Sequence, residues 1–242
     1  MTAHATEAEL ETFADAEALA HRAAGWLLAA TEGRDRVAVA LSGGSTPRRL
    51  YEILAQPPYR DEFPWSRTHW FWGDERFVPP DDTLSNYRMV REALLSLVPI
   101  ASDHIHAVPT VGTSPEAAAA SYERTLQAFY GADRLASERP LFDATLLGLG
   151  SDGHTASLFP GTAVLEERAR WVAAVLGAKD EARITLTYPA LESSRHAAFL
   201  VAGPEKRSVL AALRRGDAAL PAARLRPVGT LRILADTAAV GT

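Results

Sequence analysis

The sequence predicts an α/β fold of three layers, in which helices flank a mainly parallel sheet. Short apolar, β-branched runs of strand length alternate with segments whose apolar residues recur at helical spacing. Glycine-rich turns directly follow several of these runs, as expected where a parallel strand passes into a helix. No repeat and no long linker divides the 242 residues, so we expect a single domain over 1–242.

Each element is predicted from its own pattern. The Ala-rich segment 7–30 predicts an opening helix, and the run 36–41 predicts the first strand. Leu50, Ile53 and Leu54 predict a helix after the first glycine-rich turn. Further strands are predicted at 68–72, 105–108, 143–149, 171–175, 183–187, 197–202 and 231–234. Further helices are predicted at 84–97, 115–130 and 204–214, and the Pro/Gly-rich stretches 56–64 and 109–115 are interpreted as loops.

Composition and charge exclude several classes of function. The chain has no cysteine, which excludes disulfides, thiolate nucleophiles and cysteine metal sites. It carries 25 Lys and Arg against 30 Asp and Glu, a net charge of −5, and no dense basic run, so we expect no nucleic-acid partner. No apolar run approaches the roughly 20 residues of a membrane span, and residues 1–10 lack the order of a signal peptide. We therefore expect a cytoplasmic protein without a membrane partner.

The turn Ser42-Gly-Gly-Ser-Thr-Pro47 lies where the first strand gives way to a helix. Glycines allow a tight turn and close approach of a ligand. We expect Thr46 to cap the helix, with Pro47 at its first position. Free N–H groups and hydroxyls at a helix N-terminus form an anion site. The turn matches neither the dinucleotide fingerprint nor the P-loop, and the alternative is an ordinary strand-to-helix turn.

A second polar turn follows the predicted strand 68–72. Asp74 and Arg76 lie at its carboxyl end, where open α/β proteins bind ligands. Arg76 is a candidate to hold a phosphate or carbonyl oxygen, and Asp74 to orient it or a substrate hydroxyl. The alternative is a local Asp–Arg pair that holds the loop. Residues 85–87 are expected to cap and open the next helix, a structural role.

The segment 143–160 combines an apolar strand with a turn that contains three glycines, one acid and one imidazole. His154 in this turn is a candidate general base, because its ordinary pKa keeps much of it neutral near pH 7. Asp152 is placed to steer the ring or contact substrate. His104 and His106 alternate as metal ligands do, but no third ligand is evident nearby, so no metal site is expected. No serine lies in a Gly-x-Ser-x-Gly elbow, which argues against a serine hydrolase.

Lys206 is a cation in the first turn of the predicted helix 204–214. Cations are favoured at the opposite end of a helix, where the dipole is negative. Such a departure from a local rule indicates function. The alternative is a salt bridge with a neighbouring acid.

Six motifs follow one another in order along the chain. They are Ser-Gly-Gly-Ser-Thr-Pro at 42–47, Trp-Gly-Asp-Glu-Arg at 72–76, Ser-Asn-Tyr at 85–87, Gly-Leu-Gly-Ser-Asp-Gly-His-Thr-Ala-Ser-Leu-Phe-Pro at 148–160, Arg-Ile-Thr-Leu-Thr at 183–187 and Gly-Pro-Glu-Lys at 203–206. Together they closely resemble the 6-phosphogluconolactonase family over residues 36–210. The first loop and the lysine turn are shared more broadly, with glucosamine-6-phosphate deaminases.

This resemblance implies a fold akin to the glucosamine-6-phosphate deaminase and ribose-5-phosphate isomerase group, with no cofactor. It implies hydrolysis of 6-phospho-D-glucono-1,5-lactone in the pentose phosphate pathway, by a monomer or small homo-oligomer. His154 would then be the base, assisted by Asp152 and Arg76. Substrate contacts are expected from Ser42, Gly43, Gly44, Ser45, Thr46, Asp74, Gly153, Arg183 and Lys206. Residues 177–182 replace the usual proline-rich approach to the Arg-Ile-Thr strand.

Two alternatives remain on the sequence. A deaminase or aldose–ketose isomerase on the same scaffold needs a base for a carbon-bound proton, and Asp74 is its candidate. A non-catalytic sugar-phosphate sensor needs an upstream DNA-binding segment, and only about 35 residues precede the first strand, too few for a helix-turn-helix domain and a linker.

Overall fold

Parallel strands form the centre of the fold in the computed structural model, which describes residues 8–241. The strands are β1 Glu9–Phe13, β2 Val37–Leu41, β3 Thr68–Trp72, β4 Asp74–Arg76, β5 Ile105–His106, β6 Phe142–Leu147, β7 Val172–Val175, β8 Arg183–Leu186, β9 Ser194–Val201 and β10 Thr230–Asp236. The α-helices are α1 Ala16–Ala29, α2 Ser45–Leu54, α3 Tyr59–Glu62, α4 Asn86–Val90, α5 Pro115–Tyr130, α6 Tyr188–Glu192, α7 Arg207–Arg214 and α8 Thr237–Val240.

Seven strands pair in the order β1-β10-β9-β6-β2-β3-β5, and every pairing in this sheet is parallel. The predicted mainly parallel sheet flanked by helices is confirmed. The inner strands β2 and β6 are buried along their whole length. Burial on both faces explains why β2 appears as a continuous apolar run and not as an alternating pattern.

The opening helix predicted over 7–30 is wrong in its first part, because residues Glu9–Phe13 form β1 and pair in parallel with β10. Residue 7 lies outside the described part of the chain. The helix α1 begins at Ala16, where the Asp15 side chain accepts from the Ala18 N–H at 2.8 Å. This N-cap marks the boundary that the Ala-rich composition concealed.

The predicted strands 171–175 and 183–187 are present, but they lie outside the central sheet. They are β7 and β8, and with β4 they form a separate antiparallel sheet in the order β4-β8-β7. The strand β4 was not predicted, since Asp74–Arg76 was interpreted as a turn. Its three residues pair with β8, so the small sheet joins the second polar turn to Arg183.

The predicted bounds of the helices agree with the structure to different degrees. Helix 115–130 is confirmed, with Ser114 as its N-cap and Gly131 in the left-handed conformation at its end. Helix 84–97 begins later, because Ser85 caps α4, and it continues as a π turn over Arg91–Leu95. Helix 204–214 opens as a 3₁₀ turn over Pro204–Lys206 before α7. The loop 56–64 contains the short helix α3.

Parallel pairing fixes where the loops meet. The strands β9, β6, β2 and β3 are neighbours in that order, so the segments that follow them emerge at one edge of the sheet. These four segments carry four of the six motifs, those at 42–47, 72–76, 148–160 and 203–206. No helix within residues 8–241 is long and apolar enough to cross a membrane.

Candidate active site

A cavity of about 330 Å³ lies at this carboxyl edge of the sheet. Four segments supply most of its lining, one after each of the strands β2, β3, β6 and β9. The lining residues are Ser42, Gly43, Gly44, Ser45, Thr46, Pro47, Asp74, Arg76, Asn86, Gly148, Leu149, Gly150, His154, Ala156, Leu200, Ala202, Glu205 and Lys206. Most of the site residues named from the sequence therefore meet in one place.

The first loop gives the cavity a helix N-terminus. Gly44 is the N-cap of α2 with φ of 107°, a conformation that favours glycine, so Thr46 and Pro47 lie inside the helix and the predicted cap is wrong. The N–H groups of Ser45 and Thr46 donate to no acceptor within residues 8–241. Free N–H groups and a positive helix dipole favour an anion at this point.

Asn86 is a cavity residue that the sequence analysis assigned only to a helix start. Its Nδ2 donates to the Asp74 carbonyl at 2.9 Å. A Cβ on Gly43 would lie 2.0 Å from the Asn86 Oδ1, so this position of the loop requires glycine. The glycine motif and the Ser-Asn-Tyr motif thus contact each other through Gly43 and Asn86.

The buried Glu75 carboxylate binds the backbone of Arg76 and of the first residues of α4. The residue is 2% exposed, and its carboxylate accepts from the backbone N–H groups of Arg76, Asn86 and Tyr87 at 2.7–2.8 Å. Burial raises the pKa of Glu75 to about 7, although these three donors act in the opposite direction. The role of Glu75 was not evident from the sequence, because its partners Asn86 and Tyr87 lie 11 and 12 residues along the chain.

His154 and Asp152 form a hydrogen-bonded pair at the cavity wall. The Asp152 Oδ1 contacts the His154 Nδ1 and also accepts from the His154 N–H at 3.1 Å. A Cβ on Gly150 would lie 2.1 Å from the His154 Nδ1, so glycine leaves the space that the ring occupies. Burial raises the pKa of Asp152, but hydrogen bonds and charge from His154 and the charge of Lys179 outweigh it, and the net pKa is lowered.

The turn that carries His154 is strained at one point. Ala156 has φ of 47°, in the left-handed region that residues other than glycine seldom adopt, and it lines the cavity. The neighbouring Ser157 donates its hydroxyl to the Asp74 carboxylate at 2.7 Å. Strain of this kind gathers at functional sites.

Asp74 and Arg76 do not form the local pair considered from the sequence. Within residues 8–241, Asp74 accepts from Ser157, and the Arg76 guanidinium donates to the Leu84 carbonyl. Both residues line the cavity. Asp74 therefore ties the second turn to the histidine turn, and Arg76 brings positive charge to the site.

Lys206 lines the same cavity from the 3₁₀ turn after β9. No salt bridge to it is present within the described residues, which removes the structural alternative for those residues. Glu205, which the sequence analysis did not name, also lines the cavity. Gly203 has φ of 101°, and a Cβ there would lie 2.5 Å from the Glu205 carboxylate.

Three residues named from the sequence lie outside the lining. Asp152 contacts the His154 ring and does not line the cavity itself. Gly153 has φ of 80° and lies against Leu220, where a Cβ would come within 2.5 Å. Arg183 faces Arg76 across the β4–β8 pairing with a side chain only 12% exposed, and burial followed by the charge of Arg76 lowers its pKa.

His104 and His106 have a third neighbour that the sequence analysis missed. His69 Nδ1 lies 3.0 Å from His106 Nε2, and the His69 ring centroid lies 4.1 Å from that of His104. Burial, followed by the charges of the other two histidines, lowers the pKa of His69 to about 4. The His69 and His106 rings stack, and no group of ligands within residues 8–241 has the geometry of a metal site.

These features define a class of protein, a parallel α/β fold whose cavity joins a helix N-terminus with free N–H groups to a histidine–carboxylate pair. The chain belongs to the family described as glucosamine-6-phosphate isomerases/6-phosphogluconolactonase, whose profile matches residues 11–233. A 6-phosphogluconolactonase of Nostoc is 44% identical over 214 residues, which cover 87% of this chain and 86% of the relative. One of Synechocystis is 43% identical, covering 84% and 83%.

Solved structures give the same assignment. The 6-phosphogluconolactonase of Trypanosoma cruzi superposes with a TM-score of 0.85 at 28% identity, covering 98% of this chain and 97% of that one. A monomeric glucosamine-6-phosphate deaminase superposes with a TM-score of 0.82 at 18% identity, covering 96% and 99%. The second likeness shows a shared fold, as expected from the sequence.

Proposed function

We propose that this chain hydrolyses 6-phospho-D-glucono-1,5-lactone to 6-phospho-D-gluconate, with His154 as the base that activates water. The observation that carries the proposal is one cavity that holds both the His154–Asp152 pair and the anion-binding end of α2 with Lys206. A lactone phosphate has its reactive carbonyl and its charged group at opposite ends. Such a substrate needs a proton acceptor and an anion cradle in the same cavity.

The phosphate would lie at the α2 N-terminus. The free N–H groups of Ser45 and Thr46 and the hydroxyls of Ser42, Ser45 and Thr46 supply donors, and Lys206 supplies a positive charge. Binding the phosphate far from the reacting carbon orients the ring, so the binding energy serves positioning.

The chemical step needs no covalent enzyme intermediate, because a lactone is an activated ester. Water attacks C1 as His154 takes one of its protons, which forms a C–O bond and a tetrahedral oxyanion. Collapse of this intermediate breaks the bond between C1 and the ring oxygen, and the proton passes from His154 to that oxygen. Arg76 and backbone N–H groups of the glycine turns would stabilise the oxyanion.

Asp152 would set the tautomer of His154. A carboxylate at Nδ1 favours the ring form that carries its proton there, which leaves Nε2 free to accept a proton from water. The carboxylate also stabilises the imidazolium formed during attack. Asp152 is thus a positioning residue, while Asp74, Gly153 and Arg183 would contribute substrate contacts or hold the turns that make them.

The deaminase alternative has less support. The deaminase that shares the fold is 18% identical, whereas relatives at 40–44% identity bear the name 6-phosphogluconolactonase. Asp74, its candidate base, accepts a hydrogen bond from Ser157 and has Asn86 on its carbonyl. We also propose cytoplasmic action as a monomer or small homo-oligomer.

The test generates the lactone in situ and follows acid release against spontaneous hydrolysis. The expected result is acceleration that depends on the enzyme, with no ammonia released from glucosamine 6-phosphate. Ammonia release at a comparable kcat/KM would support the deaminase. No turnover of either substrate, with binding of 6-phosphogluconate retained, would support the sensor.

A further inference from the structure

A second polar cavity lies at the opposite edge of the same sheet. It encloses about 320 Å³, close to the volume of the active-site cavity, and it lies at the amino ends of β2, β6 and β9. Four arginines line it, namely Arg34, Arg36, Arg139 and Arg195. The motifs of the proposed function leave this cavity unused.

One buried carboxylate lies among these arginines. The Asp143 side chain is 7% exposed, lies 3.0 Å from the Arg34 Nε and 3.3 Å from the Arg195 Nε, and accepts from the Ala38 N–H at 2.9 Å. Asp35 is the other acid of the lining. Four arginines against two carboxylates leave a local excess of positive charge, in a chain whose net charge is −5.

These arginines make few hydrogen bonds to other groups of the protein. Within residues 8–241, the guanidinium groups of Arg34, Arg139 and Arg195 donate no hydrogen bond of normal geometry, and Arg36 donates only to the Phe129 carbonyl. The Nε atoms of Arg34 and Arg195 are buried and form ion pairs with the Asp143 carboxylate, without hydrogen bonds of normal geometry. The four guanidinium groups thus present N–H donors to one space.

The aromatic rings of the cavity are already covered. The Arg36 guanidinium lies 4.1 Å from the ring centroid of Phe129, and that of Arg139 lies 4.0 Å from the ring centroid of Tyr130. These contacts hold the two cations in place. Each guanidinium thus covers one face of its ring.

We propose that this arginine cavity binds a small phosphorylated anion that carries at least two negative charges. The planar guanidinium matches phosphate oxygens in a two-pronged geometry, and its charge persists at every working pH. The cavity lies apart from the active site, because β2 separates Arg36 from Ser42 by five residues, about 16 Å of extended strand. Binding there does not compete with substrate.

The test is calorimetric titration with inorganic pyrophosphate at low ionic strength. The Lys206→Gln variant serves as the background, because it weakens the anion cradle of the active site. Into it we introduce Arg139→Gln, and as matched control Arg60→Gln, which removes an exposed arginine outside both cavities. Arg139 has no carboxylate partner in the described chain, so its loss strands no buried charge.

We expect pyrophosphate to bind the background variant, Arg139→Gln to weaken that binding about tenfold or more, and Arg60→Gln to leave it unchanged. Absence of binding in the background, or equal affinity with and without Arg139, would overturn the proposal and make the arginines structural. Arg139→Lys keeps the charge but loses the planar fork, so it should give an intermediate affinity. If Arg139→Gln melts at a lower temperature than the background variant, the pyrophosphate affinity of Arg139→Lys tests the proposal in its place.

Discussion

Replacing His154 by alanine tests the proposed chemistry most directly. In the structure the ring is held on one side by Asp152 and on the other by Phe159, whose ring centroid lies 4.6 Å away. The side chain is 28% exposed, so its removal opens space toward the cavity and not within the core. We expect His154→Ala to fold like the wild type and to lose most of its catalytic activity.

The size of the expected loss in kcat follows from the proposed role of His154 as general base. Removal of a positioned base costs about 10²–10⁴-fold in kcat, which corresponds to roughly 3–5.5 kcal/mol of activation free energy. Phosphate contacts come from α2 and Lys206, so affinity for 6-phosphogluconate should change little. Asp152→Asn should lower kcat by a smaller factor, because an amide at Nδ1 no longer fixes the ring tautomer but leaves the imidazole in place.

The assay has two parts. Initial rates of lactone hydrolysis are corrected for the spontaneous reaction, and product affinity is measured by calorimetry. His21→Ala, which removes an exposed histidine of α1, is the matched control and should retain wild-type turnover. The rate of the wild type should rise with pH through one ionisation that His154→Ala lacks. The substrate phosphate also titrates near about 6, so the profile must be repeated in the variant.

A single result would refute this reasoning. If His154→Ala keeps near-wild-type kcat, or loses activity only because it no longer binds product, the base lies elsewhere. Asp74 is then the first residue to replace, since its carboxylate lines the same cavity and contacts the histidine turn through Ser157.

Four further predictions test the surroundings of this chemistry. Lys206→Ala should raise KM far more than it lowers kcat, because mainly uniform binding is lost, and comparable kcat/KM for gluconolactone without phosphate would contradict the phosphate cradle. Gly43→Ala should weaken substrate binding at least tenfold, because the new methyl group meets Asn86 at 2.0 Å; unchanged KM would show that the loop moves freely. Dialysis against a strong chelator should leave activity intact, and a loss that zinc or magnesium restores would recast His154 as a ligand. Glu75 has a pKa of about 7 in the folded state against an ordinary value near 4.5, so its folded form retains a proton that the unfolded chain releases. Its contribution to the free energy of unfolding is present below pH 4.5 and lost as the pH rises toward 7, and Glu75→Gln should remove this slope in denaturation experiments at several pH values; an unchanged slope would place the titrating group elsewhere.

The sequence predicted the central strands well because parallel strands buried on both faces have a distinct composition. The edge strand β1 was not predicted, since only one side of it pairs, none of its residues is fully buried, and it lies in an acidic, Ala-rich context. The strand β4 was not predicted, because three residues are too few to show the alternating pattern of a strand. The small antiparallel sheet depends on pairing between segments about a hundred residues apart, which no local signal reports.

The site was predictable where a motif carries its own chemistry, and hidden where a contact joins two motifs. His154, Lys206 and the loop 42–46 were found as single motifs, and all line the cavity. The contact between Gly43 and Asn86 was not found, because each residue had a sufficient local explanation as a turn glycine or a helix start. His69 was missed in the same way, because its neighbours His104 and His106 lie on another strand and turn.

The parallel sheet gives these observations one physical origin. Because its strands all run one way, their carboxyl ends gather polar turns at one edge, and their amino ends gather the residues that start each strand at the other. The first edge holds the His154 cavity and the second holds the arginine cavity. Asp143 lies beside Arg34 at the amino end of β6, and Gly148 and Gly150 follow the carboxyl end of the same strand. One fully buried strand therefore runs from the arginine cavity to the turn that holds His154.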